Sequence, residues 1–490
     1  MTDKEFDRYL AELTDAPPAA ELTEEFTPWR AAMNRILWGT VWTTLTLQFW
    51  YLDVILPAVG WIMLLLGYRT LRNENRWFRL GYGLSWLRLI WWLGSFTIRA
   101  TIYAGEPIVQ DLLNAASFGM LLPAFGILLA LRNGIRAVQQ KAGLPPHGGN
   151  GLLVCFFLML LFGSVQPGGF AVWGLLIAYI CILRSLFTLS KELDEAGYAV
   201  SPAPVRISDT ALKWAYTGYL LLALILGFWL FDSYRMDWQP VMASENPETV
   251  QIRQELLELG FPEQVLDDLT EADLLSCRGA EGVTVQVDDH PINRGRQVQE
   301  TYGTMTSTTT IYDEKELRIT GIAVELPDDQ WKIIHHFRWV IDPGFRGTEV
   351  IQLWPAYQKA EGWGSSSVLS GQVLYTKDGT EYSAPFHSLE EESYTQNTIF
   401  WGAQTSSDVF AEFSMPNRGE NHRGYVCYTM PQLQEGWSVN SWMNYIHQTP
   451  WPRYPVITAK QKQLTQGVGS NLTFKTIQDA LQFFPGDDQP

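Results

Sequence analysis

Apolar residues are unevenly placed along this chain. Up to about residue 235 they gather in long blocks, and beyond it they alternate with polar residues over short distances. A helix needs about 20 mostly apolar residues to cross a bilayer core of ~30 Å, because hydrocarbon offers the backbone no hydrogen-bonding partner. The blocks predict about seven spans. The clearest are residues 80–103, 108–131, 170–189 and 211–231, while 54–68 and 151–165 are short. As one helix, residues 36–68 would be about 50 Å long at 1.5 Å per residue, so a break is expected. Asp53 and Pro57 mark it, since a carboxylate avoids lipid and proline removes a helix donor.

Charge sorts the connections into two classes. Lys4, Arg8, Arg30 and Arg35 precede the first block, Arg69, Arg72, Arg76 and Arg79 follow the second, Arg132, Arg136 and Lys141 the fourth, and Lys191 and Arg206 the sixth. The connections around Asp53, Glu106 and Gln166 carry no Lys or Arg. The positive-inside rule then predicts a cytoplasmic N-terminus, an odd number of spans and an extracytoplasmic C-terminal half. The first 30 residues are polar and acidic rather than signal-like, so export is expected to depend on the seventh span. Within that tail, Thr2 and Glu5 have capping-box spacing, and Phe6, Tyr9, Leu10 and Leu13 share one helical face.

Past Arg235 the pattern predicts an α+β domain, mainly an antiparallel β-sandwich. Asn246-Pro247-Glu248 is a helix start, with Gly260 as the left-handed exit. Shorter helices are expected over 262–269 and, from the Thr270 cap, 271–277. The segments 308–312, 317–326, 331–341, 348–354, 371–376, 381–384, 409–415 and 425–430 read as strands. Lys377-Asp378-Gly379-Thr380 signals a hairpin, and 474–484 reads as a C-terminal helix. The expected organisation is an acidic cytoplasmic tail (1–35), a helical bundle (36–234), a short helical stalk (235–278) and a β-rich domain (279–490).

Composition sharpens this division. The 490 residues include 35 basic and 52 acidic side chains, a net charge of −17. Residues 1–235 hold 18 basic and 17 acidic groups and residues 236–490 hold 17 and 35, so nearly all of the excess lies in the second half. Such a field repels nucleic acid and favours cationic partners.

Candidate chemistry is sparse. Arg88, about eight residues into the third span, is the deepest intramembrane ionisable group, and backbone carbonyls or lipid phosphate are its expected partners. Gly119, Pro123 and Gly126 suggest a kink or close packing in the fourth span. Cys277 and Cys427 are a candidate disulfide on the exported side. His335 and His336, adjacent in a strand, should point to opposite faces. Asp288/Asp289, Asp328/Asp329 and Glu390 to Glu392 read as solvated turn residues. No CxxC, HExxH, calcium-loop, GxSxG, Walker A or dinucleotide pattern is present, so no catalytic residue, metal site or cofactor is expected. The aromatic-rich stretch Trp437, Trp442, Tyr445, Trp451 and Tyr454 is the candidate ligand-binding set, because exposed aromatic faces bind sugar rings and peptides.

Thr27-Pro28-Trp29-Arg30, Leu37-Trp38-Gly39, Leu56-Pro57, Gly60, Leu65-Leu66-Gly67-Tyr68-Arg69 and Glu74-Asn75-Arg76-Trp77-Phe78 together resemble the opening of a group of uncharacterised bacterial multispanning membrane proteins. Leu259-Gly260-Phe261-Pro262 to Leu274 resembles a helical segment of such proteins. The resemblance implies membrane insertion and a bacterial source and transfers no activity. The leading expectation is a non-enzymatic cell-envelope protein, embedded in the lipid bilayer, whose exported domain binds an extracellular peptide, glycan or protein and relays occupancy inward. A transport component and an envelope hydrolase are the competing classes.

Overall fold

The computed structural model describes residues 27–45, 50–165, 169–196, 200, 202–242, 246–302, 305–354, 362–364, 368–398, 402–450, 452–466 and 470–486. The amphipathic segment expected near Phe6 lies outside them. The chain divides into two units, one formed by Met1–Thr97 and Ile108–Ala223, the other by Ile98–Pro107 and Leu224–Pro490.

The first unit is helical. Its helices are α1 (Pro28–Thr44), α2 (Leu52–Leu71), α3 (Arg76–Arg99), α4 (Pro107–Gly119), α5 (Leu121–Lys141), α6 (Asn150–Val165), α7 (Gly169–Glu195) and α8 (Asp209–Leu230), the ends of α3, α4 and α8 falling in the second unit. Among the described residues, four segments are long and apolar enough to cross a membrane: Leu52–Leu71, Pro107–Lys141, Phe170–Glu195 and Asp209–Leu230. The expectation of seven spans is therefore corrected to four by this measure. Helix α3 falls short because Arg88 lies among glycine, serine, Tyr82, Trp86, Trp91 and Trp92, all of low hydropathy, and α1 and α6 are only 17 and 16 residues long. The expected break in the first block also moves. Helix α1 ends at Thr44, Trp50 and Tyr51 adopt left-handed φ of 51° and 60°, and Asp53 and Pro57 lie inside α2. As the sixth residue of α2, Pro57 removes the bond that an amide there would donate to the Asp53 carbonyl, but the helix continues through it. The α4/α5 interruption at Met120 has a comparable cause, since Pro123 cannot donate to the carbonyl of Gly119.

Helices α1 and α2 form a hairpin that depends on glycine. A Cβ on Gly60 would sit 2.7 Å from Thr43 Cγ2 and 3.0 Å from the Gly39 carbonyl, and one on Gly39 would sit 2.9 Å from the Gly60 carbonyl. Small residues let helix backbones approach where lipid gives no hydrophobic drive for association. Asp209, at the start of α8, joins Arg35 at 2.8 Å and Arg69 at 3.3 Å, tying α8 to the middle of α1 and the last turn of α2. Arg88 lies with its guanidinium carbon 4.6 Å from the centroid of the Trp61 ring and donates to the Met120 carbonyl at 3.0 Å, a backbone partner of the expected kind.

The second unit is a two-sheet antiparallel sandwich. Its strands are β1 (Gln239–Pro240), β2 (Gly282–His290), β3 (Arg296–Tyr302), β4 (Met305–Ile311), β5 (Leu317–Leu326), β6 (Gln330–Trp339), β7 (Glu349–Trp354), β8 (Leu369–Lys377), β9 (Thr380–Ala384), β10 (Ser388–Thr398), β11 (Gly402–Phe413), β12 (Glu420–Pro431), β13 (Val439–Gln448) and β14 (Phe474–Phe483). One sheet runs β1-β9-β8-β12-β6-β5-β2, the other β10-β11-β7-β13-β14, and β3-β4 form a separate ribbon. Asp378 and Gly379, at φ 50° and 76°, make the expected β8–β9 turn.

Alternation along each strand explains the layers. Ile333 and Phe337 of β6, Val426 and Tyr428 of β12, Ile351 of β7, Phe413 of β11 and Tyr445 of β13 fill the space between the sheets. Ile322, Val324, Ile334, Tyr425 and Cys427, with the opposite parity, meet α9 (Pro247–Glu258), α10 (Glu263–Leu266) and α11 (Glu271–Leu275) through Ile252, Leu256, Phe261, Val265, Leu266 and Leu274. The expected stalk is thus a cap on the outer face of the seven-stranded sheet, because its apolar side has a matching apolar face to cover. Capping follows the sequence: Asn246 accepts from the Glu248 amide at 3.1 Å, Thr270 accepts from the Asp273 amide at 3.2 Å, and Gly260 exits at φ 87°.

Two further expectations are corrected. Residues 474–484 are not a helix but strand β14, paired along its length with β13; the i, i+3, i+7 spacing of Phe474, Ile477 and Leu481 mimics a helical face, but the free edge of β13 prevails. The C-terminal helix is α12 (Ala459–Gln466) instead. Asp288 and Asp289 belong to β2, where Asp289 pairs with Arg318 at 2.7 Å, whereas Asp328 and Asp329 do form a turn, both with positive φ.

Replacing Gly60 with Val should lower the stability of the full chain in detergent by about 1–3 kcal/mol, as overpacking of a close contact does. Thermal unfolding by circular dichroism measures this, and the exposed Gly83→Ala, with open space around it, serves as a reference that should be neutral to stabilising by up to about 1 kcal/mol.

Candidate functional site

The aromatic set expected to bind ligand is not one surface. Tyr445 is fully buried in the inter-sheet core and accepts from Trp339 Nε1 at 3.2 Å. Trp442, of opposite parity on β13, faces away from that core. Trp437 is 40% exposed and donates to Gln434 at 3.1 Å, Tyr454 is half-buried in the segment after β13, and Trp451 lies outside the described residues. The sequence signal came from aromatic density, which a β-strand distributes between two faces.

Buried polar groups gather instead where the helical cap meets the seven-stranded sheet. Asp273 receives Lys332 Nζ at 2.8 Å, Ser370 Oγ at 2.6 Å, Tyr425 OH at 2.5 Å and Cys427 Sγ at 3.3 Å. Burial would raise its carboxyl, but the Lys332 charge and these donors hold it well below the usual carboxylate range. Asp268, also buried, pairs with Arg423 Nε at 2.7 Å and His336 Nε2 at 2.9 Å, while Arg423 reaches on to Glu381 at 2.6 Å. Cys277 and Cys427 are free buried thiols beside the first cluster, so the expected bridge is not formed; burial pushes both thiols up, Cys277 to about 11 and Cys427 to about 12. His335 and His336 do point to opposite faces. His335 meets Ser441 Oγ at 2.7 Å inside the sandwich, and its complete burial lowers its pKa to about 4. These clusters are closed and fully partnered, which suits holding the cap rather than meeting a ligand.

An open polar pocket of about 360 Å³ lies on the outer side of the five-stranded sheet, and all its lining residues belong to the second unit. Its chemistry comes from strand pairing. Register places Ser388 opposite Glu412 and Glu390 opposite Phe410, so Glu390, Glu392 and Glu412 share one face of β10 and β11. The expectation that Glu390 to Glu392 form a solvated turn is corrected, since they lie within β10. Lys460, from α12, projects onto this face and reaches Glu392 at 2.6 Å, Glu412 at 3.0 Å and Glu390 at 3.7 Å. Tyr234 donates to Glu412 Oε2 at 2.5 Å, and its ring stacks on His387 with centroids 4.1 Å apart. Glu106 completes the lining.

Electrostatics limits what this pocket does. Burial, reinforced by the Glu412 charge, drives the Tyr234 phenol far above its ordinary range, so it stays protonated and donates. Burial opposes the Lys460 charge, but the Glu392 and Glu412 carboxylates outweigh it and raise the ammonium above its ordinary value, so it offers no free amine. Four carboxylates, Glu106, Glu390, Glu392 and Glu412, face one lysine, leaving an excess of negative charge. Among the described residues, no group of three or more His, Cys, Asp or Glu side chains is arranged to hold a metal ion. Sequence reasoning missed this pocket because Glu390 and Glu392 reside on a strand that pattern had assigned to a turn, and its lysine on a helix 48 residues beyond Glu412.

No family model and no curated protein matches the chain. Among solved structures, one described as "pH-induced modulation of Streptococcus parasanguinis adhesion by Fap1 fimbriae" is 9% identical, covers 35% of this chain and 76% of that chain, and has a TM-score of 0.17. Another, "AvmM Catalyzes Macrocyclization in Alchivemycin A Biosynthesis", is 8% identical over 33% of this chain and 84% of that one, with a TM-score of 0.17. "Heparinase III-BT4657 gene product, Methylated Lysines" is 8% identical over 90% of this chain and 76% of that one, with a TM-score of 0.14. Likenesses this low carry no argument about function.

Two outcomes are expected. Lys332→Met, which leaves Asp273 buried and unpaired, should cost about 3–5 kcal/mol in urea unfolding of the full chain. Acid should also weaken the sandwich through His335. Its pKa is lower folded than unfolded, so the unfolded state binds more protons between about 4 and 6.5, and stability present above 6.5 is lost as pH falls through that window. This contributes about 2–3 kcal/mol of loss by pH 4.5, and His335→Gln should flatten the dependence measured from pH 7 to pH 4.5.

Proposed function

We propose that the chain is an integral membrane protein of a bacterial cell envelope that displays its acidic β-sandwich on the extracytoplasmic side, where the pocket around Lys460 receives a cationic partner such as a lysine- or arginine-rich peptide segment. The observation that carries the reading is the imbalance in that pocket: four carboxylates against one already engaged lysine. A second ammonium or guanidinium group entering there relieves repulsion among the acids and finds hydrogen-bond acceptors in place. With Tyr234 held protonated and Lys460 held charged, the pocket supports binding better than catalysis.

The orientation is supported by charge at the helix ends. Arg69 and Arg72 close α2, Arg76 and Arg79 open α3, Arg132, Arg136 and Lys141 lie in the second half of α5, and Lys191 lies near the end of α7. These positions alternate with connections free of Lys and Arg, and the positive charge ahead of α8 supports an extracytoplasmic sandwich by the positive-inside rule. Inward relay is part of the same reading, since Glu106 sits in the short segment between α3 and α4 and also lines the pocket.

Binding of a fluorescent tetralysine peptide to the full chain in nanodiscs tests this. The native protein should bind it, tetraglutamate should not bind, and Glu390→Gln with Glu392→Gln should weaken tetralysine binding about tenfold, with affinity falling as salt rises. Equal binding by the native protein and the double variant would overturn the assignment of the pocket.

A further inference from the structure

A second cavity, of about 440 Å³, lies at the end of α8, and all of its lining residues belong to the unit that contains Leu224–Pro490. We propose that it seats the phosphate headgroup of a membrane phospholipid, whose acyl chains follow the uncovered apolar side of α8. The inference rests on the reading of α8 as a membrane span and is independent of the Lys460 pocket.

The walls have the two characters that an amphiphile requires. Ile225, Phe228 and Trp229, in the last turns of α8, supply an apolar side, and Trp229 is 76% exposed and Ile225 53% exposed, on a helix long and apolar enough to cross a bilayer. Tryptophan at the end of such a helix is at home at headgroup level. Facing it, Arg346 before β7 and Arg453 after β13 bring two guanidinium groups to the same cavity, and Asp232 brings one carboxylate. Two guanidinium groups outnumber the one carboxylate in the lining, a composition that suits a phosphodiester. Guanidinium suits that ligand because its planar fork matches two phosphate oxygens at once. Gln448 and Thr449 add polar groups to the lining. The volume lies within the ~300–1,000 Å³ typical of small-molecule sites. A water-soluble phosphate compound would use the arginines but would leave the apolar face of α8 uncovered, so the lipid is the better occupant.

The test uses the delipidated full chain in detergent, with phosphatidylglycerol and, separately, glycerol 3-phosphate as probes, read by native mass spectrometry. The native chain should retain phosphatidylglycerol and not glycerol 3-phosphate at the same concentration. Arg346→Gln with Arg453→Gln should cut retention at least fivefold, and Arg296→Gln, on the distant β3–β4 ribbon, should leave it unchanged. Undiminished retention in the double variant, or equal binding of glycerol 3-phosphate, would overturn the proposal. Should the double variant elute as aggregate, photoreactive phosphatidylglycerol on the native chain decides. Cross-links concentrated on peptides carrying Trp229 or residues 446–457 support the site, and cross-links spread evenly over the bundle refute it. Failure here with tetralysine binding intact removes the lipid site and leaves the first reading standing.

Discussion

The central strands of the seven-stranded sheet, β5, β6 and β12, are buried on both faces, and the rest of the second unit is arranged around that constraint. A sheet face left bare would expose the Ile322, Val324 and Ile334 side chains to water, at roughly 1.5–3 kcal/mol for each large aliphatic group. The three cap helices remove that cost, and two aspartates fix where they land. Asp273 ties α11 to β6, β8 and β12 through Lys332, Ser370 and Tyr425, and Asp268 ties the turn before it to β6 and β12 through His336 and Arg423. Apolar contact alone would let the cap slide, whereas buried charges with several directed partners hold one register.

With one side of the sandwich closed by the cap, open polar chemistry is left to the five-stranded sheet. There β10, an edge strand, carries glutamates that discourage pairing with another chain. The same glutamates, brought beside Glu412 by antiparallel register and partly neutralised by Lys460, make the pocket assigned to a cationic partner. One set of side chains thereby protects an edge and creates a site.

Much of the architecture was legible in the sequence where a local rule decides it. The Asn246 and Thr270 caps, the Gly260 exit, the Asp378-Gly379 turn and strands β5, β6 and β12 follow from side-chain chemistry within a few residues. Legibility failed where a distant partner decides. Strand β14 has helical spacing but pairs with β13, β10 has a turn-like acidic run but lies against β11, and the aromatic residues of β13 divide between faces. In the bundle, residue counting took α3 for a span, while Arg88 with the glycine, serine, Tyr and Trp residues around it, and the short lengths of α1 and α6, leave four segments that qualify by length and composition. The Lys460 pocket unites groups from five separated stretches of chain and has no motif that a linear reading could detect.

The central claim is that a sheet-rich, strongly acidic unit stands outside a membrane that its own helices cross. Adding protease to intact, wall-stripped cells and following the sandwich with an antibody to its C-terminal strands tests it most directly. The account predicts digestion without lysis; a sandwich that stays whole until the membrane is broken would contradict it.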